Sequence, residues 1–178
     1  MAKITIFGLA GTGTSSVGRE LAKKLGYDFV STGDIFFRKK AEELGLSLSE
    51  LHERAKLDSA IDLECDEEMK KFGRERDNFV VESRLAWFFI PDSLKVKLFC
   101  DLEVRTKRLA ERDKLSFEDA ASHIIAREKG DDARYKKYYG ISDINIDGHF
   151  DLVIDSTNAG VEGCVAIILD YKKRFFRP

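Results

Sequence analysis

Cysteine is scarce in this chain, and the three present, Cys65, Cys100 and Cys164, lie far apart with neither a C-x-x-C pair nor a histidine cluster nearby. That excludes a disulfide framework and a cysteine-based zinc site, and it fits a reducing compartment. Proline is scarcer still: Pro91 and Pro178 mark no linker, and neither repeats nor low-complexity segments interrupt the sequence. Charge of one sign is missing too. Thirty Lys and Arg stand against 32 Asp and Glu for a net charge of -2, which argues against a surface that grips nucleic acid as a whole and makes any basic site local. The first residues offer one lysine and a short apolar run before the glycines, too little for a signal peptide core or a membrane span. The expectation is therefore an unprocessed, cytoplasmic chain with no membrane or nucleic-acid partner. At 178 residues it is expected to form one domain whose core needs no metal or disulfide staple.

The most informative absence is a single lysine. Residues 8–16 read "GLAGTGTSS" and follow the apolar run Ile4-Thr5-Ile6-Phe7. A phosphate-binding loop has the pattern G-x-x-x-x-G-K-[ST]; Gly8 and Gly13 keep its spacing and Ser15 closes it, but Thr14 stands at the lysine position. Glycines at 8, 11 and 13 let backbone amides turn inward toward phosphate oxygens, and the following helix terminus adds partial positive charge. Thr12, Thr14, Ser15 and Ser16 complete the loop, with the Ser15 hydroxyl suited to Mg²⁺. The competing reading is a tight strand-to-helix turn without a ligand.

The hydrophobic pattern alternates strands with helices. Lys3–Phe7, Tyr27–Ser31, Asn78–Val81, Leu94–Cys100 and Leu152–Ile154 read as five strands. Helices are expected over Ser15–Leu25, Ile35–Leu44, Glu103–Arg112 and Val161–Lys173. Ser47-x-x-Glu50 looks like a capping box that opens a charged helical region to about Arg76, broken near Leu57, and Ser116-x-x-Asp119 caps another toward Tyr138. This order implies a parallel sheet covered on both faces, an α/β sandwich with its ligand at the carboxyl ends of the strands, where Gly8, Thr32, Glu82 and Asp101 fall.

Basic residues gather after that loop. Arg105, Arg108 and Arg112 share one helix face by spacing, and Arg127, Asp131 and Arg134 repeat the arrangement. Each set also reads as a solvated face laced by weak surface pairs. After a phosphate loop, arginines suit phosphoryl transfer, which is mostly charge stabilisation, and they are candidates to replace the missing lysine. Asp34 starts a helix with Arg38 one turn on; it either caps that helix or holds a metal-bound water. Glu82-Ser83-Arg84 follows the third strand, with Glu82 a candidate for the metal shell and Arg84 for a second phosphate, or a surface pair. His52, His123 and His149 read as structural, and Trp87-Phe88-Phe89 as packing rather than a base-stacking platform.

The loop "GLAGTGTSSVGRELAKKLGYDFVSTGDIFFRKKAEELG", the strand end "FVVESRLAW", the helix "EVRTKRLAERD" and the segment "AREKGDDARYKKYYGI" together resemble the cytidylate kinases, in particular the short archaeal-type members of the nucleoside monophosphate kinase fold. The resemblance spans nearly the whole chain, and its most specific part is Arg127-x-x-x-Asp131-x-x-Arg134-Tyr135. It implies a P-loop three-layer sandwich with a five-stranded parallel sheet, a mobile monophosphate-binding segment at about 34–76 and a lid at about 113–140. It also implies transfer of the γ-phosphoryl group of ATP to CMP or dCMP with Mg²⁺, by a chain that acts as a monomer.

Carried onto matching positions, Gly8, Gly11, Thr12, Gly13, Thr14, Ser15 and Ser16 correspond to the ATP phosphate loop, with Arg108 and Arg112 added as ATP-binding candidates by their helical spacing. Arg38 and Arg84 hold the acceptor phosphate, Arg127 and Arg134 close over the transferred group, and Asp131 positions the acceptor. Ser15, Asp34 and Glu82 surround Mg²⁺, directly or through water. Two departures stand out: Thr14 for lysine, and Ser83 where these kinases commonly show glycine before the arginine. Two other readings remain open from the residues: a kinase of the same fold acting on another nucleoside monophosphate or a small alcohol such as shikimate, and a nucleotide binder without catalysis.

Overall fold

The computed structural model describes residues 2–47, 50, 51, 54 and 59–175, with the backbone alone for 33–35, 59 and 175. Strand β1 (Lys3–Gly8) runs into the glycine loop and then into helix α1 (Thr14–Leu25). Next come β2 (Asp28–Ser31), α2 (Thr32–Leu44), α3 (Ser59–Glu75), β3 (Phe79–Glu82) and the short α4 (Ala86–Phe89). The chain continues through β4 (Leu94–Phe99), α5 (Leu102–Asp113), α6 (Phe117–Tyr139), a 3-10 turn (Asp147–His149), β5 (Leu152–Asp155) and α7 (Gly160–Phe175).

The five strands form one parallel sheet in the order β2-β3-β1-β4-β5. Alternation along each strand assigns the two faces. Ile4 and Ile6 of β1, Val80 of β3, Val96 and Leu98 of β4 and Ile154 of β5 pack under α1 and α7, against Val17, Leu21, Cys164, Val165 and Ile168. On the other face, Phe7, Val30, Phe79 and Val81 meet Phe36, Cys65, Met69, Leu85, Trp87, Tyr135 and Ile144. The order brings the ends of β1 and β3 side by side, with Ile6 paired to Glu82. The loop at 8–13 and the segment after Glu82 therefore open into the same space. Among the described residues no helix is long and apolar enough to cross a membrane.

Differences from the sequence reading are local. Helix α2 begins at Thr32, three residues earlier than the periodicity suggests, with the Thr32 hydroxyl donating to the Glu82 carbonyl at 3.1 Å. The aromatic run at 87–89 lies in α4, a helix too short to show periodicity. Trp87 stacks on His149 with centroids 4.6 Å apart and donates to the Arg84 carbonyl, so these rings pack. The capping box is present: Ser47 N donates to Glu50 Oε2 at 2.8 Å and Glu50 N to Ser47 Oγ at 3.2 Å. The expected break near Leu57, and His52, lie outside the described residues. Ser116 caps α6 by accepting from Asp119 N at 3.0 Å, and that helix ends at Gly140 in the left-handed conformation.

Helix α3 packs through Gly73 against the residue that follows α4, where an added Cβ would lie 2.6 Å from Cγ1 of the buried Ile90. Gly73→Val is expected to destabilise the fold by about 1–3 kcal/mol through overpacking, read as a lower urea midpoint at an unchanged m-value.

Candidate functional site

The site is built outward from the glycine loop. Gly11 and Gly13 adopt φ values of 85° and 91°, in the left-handed region that glycine tolerates. At Gly11 a side chain is doubly excluded, since its Cβ would fall 2.6 Å from the Arg105 carbonyl oxygen. Thr12 is buried and closes the turn through its amide and hydroxyl, both donating to the Leu9 carbonyl, at 3.2 and 2.8 Å. Helix α1 starts at Thr14 with Gly13 as its cap, and none of its own first-turn residues is acidic. Ser16 is exposed at this same helix start.

Glu82, at the end of β3, accepts from Thr14 Oγ1 through Oε1 and from Ser15 Oγ through Oε2, both at 3.0 Å. One carboxylate thus holds both hydroxyls, and the Thr14 side chain, 8% exposed as a residue, turns to Glu82. A hydroxyl and a carboxylate this close are hard oxygen donors of the kind Mg²⁺ prefers. Among the described residues no group of three or more His, Cys, Asp and Glu side chains could hold a metal by itself, so a cation here would depend on ligand oxygens as well. The backbone places Asp34 in the first turn of α2, and its side chain lies outside the description.

Two arginines of α5 brace the loop from behind. Arg105 is 6% exposed; its Nη1 donates to Ala10 O at 3.3 Å and to Glu128 Oε1 at 2.6 Å, and its buried Nε has no partner. Arg108 Nη1 donates to Gly11 O at 3.4 Å, and its Nη2 donates to Ser156 O at 3.0 Å and Thr157 O at 3.4 Å. Ser156 adds a hydroxyl bond to Thr12 O at 2.9 Å. Arg112, one turn further along α5, is not brought to the loop: its side chain is 67% exposed and pairs with the neighbouring Asp113 at 2.7 Å. The spacing puts it on the right face, but the loop ends a turn earlier.

On the other side of the loop the charged groups form a line. Arg84 Nη1 donates to Gly8 O at 2.5 Å and its Nε lies 3.5 Å from Asp131 Oδ2. Asp131 Oδ1 accepts from Arg134 Nη2 at 3.1 Å, and Arg134 Nη1 reaches Asp62 Oδ2 at 2.8 Å. Burial works against the charge of Arg84, whose pKa is lowered, with Asp131 opposing that and Arg127 adding to it. Arg134 is the reverse: burial opposes its charge, but Tyr135, Asp62 and Asp131 hold it above the ordinary value. Arg127 is exposed on α6 and Arg38 is exposed on α2. One turn past Asp62, Asp66 accepts a hydrogen bond from the Tyr139 hydroxyl, and burial lifts its carboxyl to about 6 despite that bond. Asp62, Asp66 and Tyr139 escaped individual assignment from sequence, although Asp62 and Asp66 sit at i, i+4 in "IDLECD". Glu128 and Ser156 were missed as well; Ser156 follows the last strand at the ligand-binding edge.

Residues 3–158 match the model of the cytidylate kinase-like family. A cytidylate kinase of Ignicoccus hospitalis is 41% identical over 170 residues, covering 94% of this chain and 97% of the relative. One from Saccharolobus islandicus is 39% identical over 170 residues, covering 94% and 89%. Among solved structures, the shikimate kinase of Bacteroides thetaiotaomicron superposes with a TM-score of 0.69 at 14% identity, covering 97% of this chain and 98% of that one. That likeness concerns the fold.

The raised Asp66 pKa has a stability consequence. The native state keeps its proton up to about pH 6, whereas an unfolded aspartate loses it near 3.8, so native stability falls as pH rises between those values and the loss is complete above them. Asp66→Asn keeps an acceptor for Tyr139 without the charge. It is expected to be more stable than the wild type at pH 8, by on the order of 2 kcal/mol, and equal to it near pH 4, as measured by urea denaturation at both pH values.

Proposed function

The chain belongs to the cytidylate kinase-like family, and we propose that it transfers the γ-phosphoryl group of ATP to CMP or dCMP. The observation that carries this reading is the line of charge from the Gly8 carbonyl through Arg84, Asp131 and Arg134 to Asp62. Arg84 bonds the glycine loop, and Asp131 links it to Arg134, a run of positive charge that supports the reading. Phosphoryl transfer demands little covalent chemistry from the protein and much positioning and charge stabilisation.

In this reading the amides of 8–16 and the α1 terminus cradle the ATP phosphates, and Arg108 steadies that loop. The acceptor phosphate is held by Arg84 and Arg38, with Asp131 positioning the acceptor. Arg127 and Arg134 close over the transferred group as the segment around 113–140 moves in, and closure keeps water from the γ-phosphate. Residues 34–76 supply the monophosphate-binding wall. The oxygen donors Ser15 and Glu82 fit Mg²⁺, and Asp34 stands in the first turn of α2, the helix whose Thr32 hydroxyl donates to the Glu82 carbonyl. When bound, the ion neutralises charge developing on the transferring phosphate. Thr14 brings hydrogen bonding to Glu82 and no charge, so the positive charge at the γ-phosphate falls to Arg127 and Arg134. Arg112 has no role here beyond its surface pair with Asp113. The near-balanced charge of -2 supports action on small nucleotides rather than on nucleic acid.

ADP release from Mg-ATP with CMP, dCMP, UMP, AMP, GMP or shikimate as acceptor tests the reading. Turnover is expected with CMP and dCMP; ATP binding with no acceptor-dependent product would overturn it in favour of a nucleotide binder. Arg134→Ala is expected to lower kcat by at least about a hundredfold, and an unchanged kcat removes the arginine from the mechanism. Hydrogen exchange is expected to slow across 116–140 only when both substrates are present.

A further inference from the structure

One helix holds the glycine loop by two arms. Arg84 donates to Gly8 O and is met by Asp131, while Arg105 donates to Ala10 O and is met by Glu128. Glu128 and Asp131 both belong to α6 and stand at i, i+3, so they share one side of that helix. The transfer reading gives Asp131 to the acceptor and leaves Glu128 without a part. Yet the Glu128 arm is the more deeply set. Arg105 is 6% exposed, and among the described residues its ion pair is with Glu128, at 2.6 Å. The bonds to Ala10 and Glu128 both leave from Nη1, while the buried Nε has no partner among the described residues. A buried guanidinium bonded so sparsely depends on the carboxylate opposite it, because removing that partner strands a desolvated charge.

The loop has little slack where this arm meets it. A Cβ at Gly11 would fall 2.6 Å from the Arg105 carbonyl oxygen and 2.9 Å from its Cα and Cβ. Ala10 packs against the apolar cluster that Leu109 of α5 forms with Ala120 and Ile124 of α6. The middle of the loop is thus seated on both helices, with the Arg105–Glu128 pair on the polar side of that seat. Resting on the kinase reading above, we propose that Glu128 is a positioning residue for ATP: through Arg105 it fixes the Ala10–Gly11 part of the loop, and with it the donor phosphates, without touching the nucleotide. The acceptor depends on the other arm. Arg84 has Asp131 at 3.5 Å, and the charge of Glu128 acts on it more weakly than that of Asp131. Loss of the Glu128 charge therefore falls on ATP and spares CMP.

The test is steady-state kinetics with ATP and CMP varied in turn, for the wild type, Glu128→Gln, Arg105→Lys and the double variant. Glu128→Gln keeps the side-chain shape and an acceptor oxygen and removes only the charge. It is expected to raise KM for ATP about tenfold and to leave KM for CMP within about twofold. Arg105→Lys keeps the charge without the planar fork and is expected to give the same split. The double variant is expected to lose no more than the worse single one, since the two residues act in series. Calorimetric titration with a non-hydrolysable ATP analogue and with CMP is expected to repeat the split in Kd without turnover. A lower urea midpoint with both KM values unchanged makes the pair purely structural and overturns the proposal, as does an equal rise for both substrates. Either result, beside a wild type that turns over CMP, leaves the kinase reading intact. A wild type that forms no product from CMP overturns both.

Discussion

The Glu82 carboxylate is the point on which the site's geometry rests. It stands at the end of β3 and accepts from Thr14 and Ser15 at the first turn of α1, joining the middle of the sheet to the helix that follows the glycine loop. Its backbone carbonyl accepts from Thr32 at the start of α2, so three elements meet at one residue. Each bond involves a charged or backbone group in a part-buried setting, where such bonds contribute more than their exposed counterparts. Removing this carboxylate would leave the Thr14 and Ser15 hydroxyls competing for other acceptors and cut the link from β3 to the start of α1.

This arrangement explains how the loop accommodates threonine where a lysine is usual. A lysine at 14 would bring a cation into the same part-buried space as Glu82 and compete with Ser15 for it. With Thr14 the pairing is neutral-to-charged on both oxygens, and positive charge enters from the flanks. Arg105 and Arg108 approach the loop from α5 and spend their donors on Glu128 and on the carbonyls of Ala10, Gly11 and Ser156, which holds the loop backbone from that side. Arg84 does the same at Gly8. The arginines thus shape the loop before they stabilise anything bound to it.

The sheet, the glycine loop and both helix caps at Ser47 and Ser116 were legible because they depend on local rules: alternation, helical period, and side chains that satisfy backbone amides three residues away. The arginine cluster was legible as composition but not as geometry. Arg105, Arg108 and Arg112 have identical claims by spacing, and only the length of the loop decides that the third faces solvent. Asp66 and Tyr139 are 73 positions apart, a separation that carries no periodic signal. Helix α4 escaped because four residues are too few to show a period of 3.6.

The acceptor side shows why polar bridges, rather than an apolar seam, suit this position between α3 and α6. A seam would gain stability in proportion to the area removed from water and would resist opening. Arg134–Asp62 and Tyr139–Asp66 instead join polar groups that water also satisfies, so parting them exchanges one set of hydrogen bonds for another at small net cost. Burial still raises the Asp66 pKa to about 6 despite the Tyr139 bond, because the carboxylate is held partly away from water. That cost falls on native stability once the pH rises above the folded value and the carboxylate must stay ionised in place.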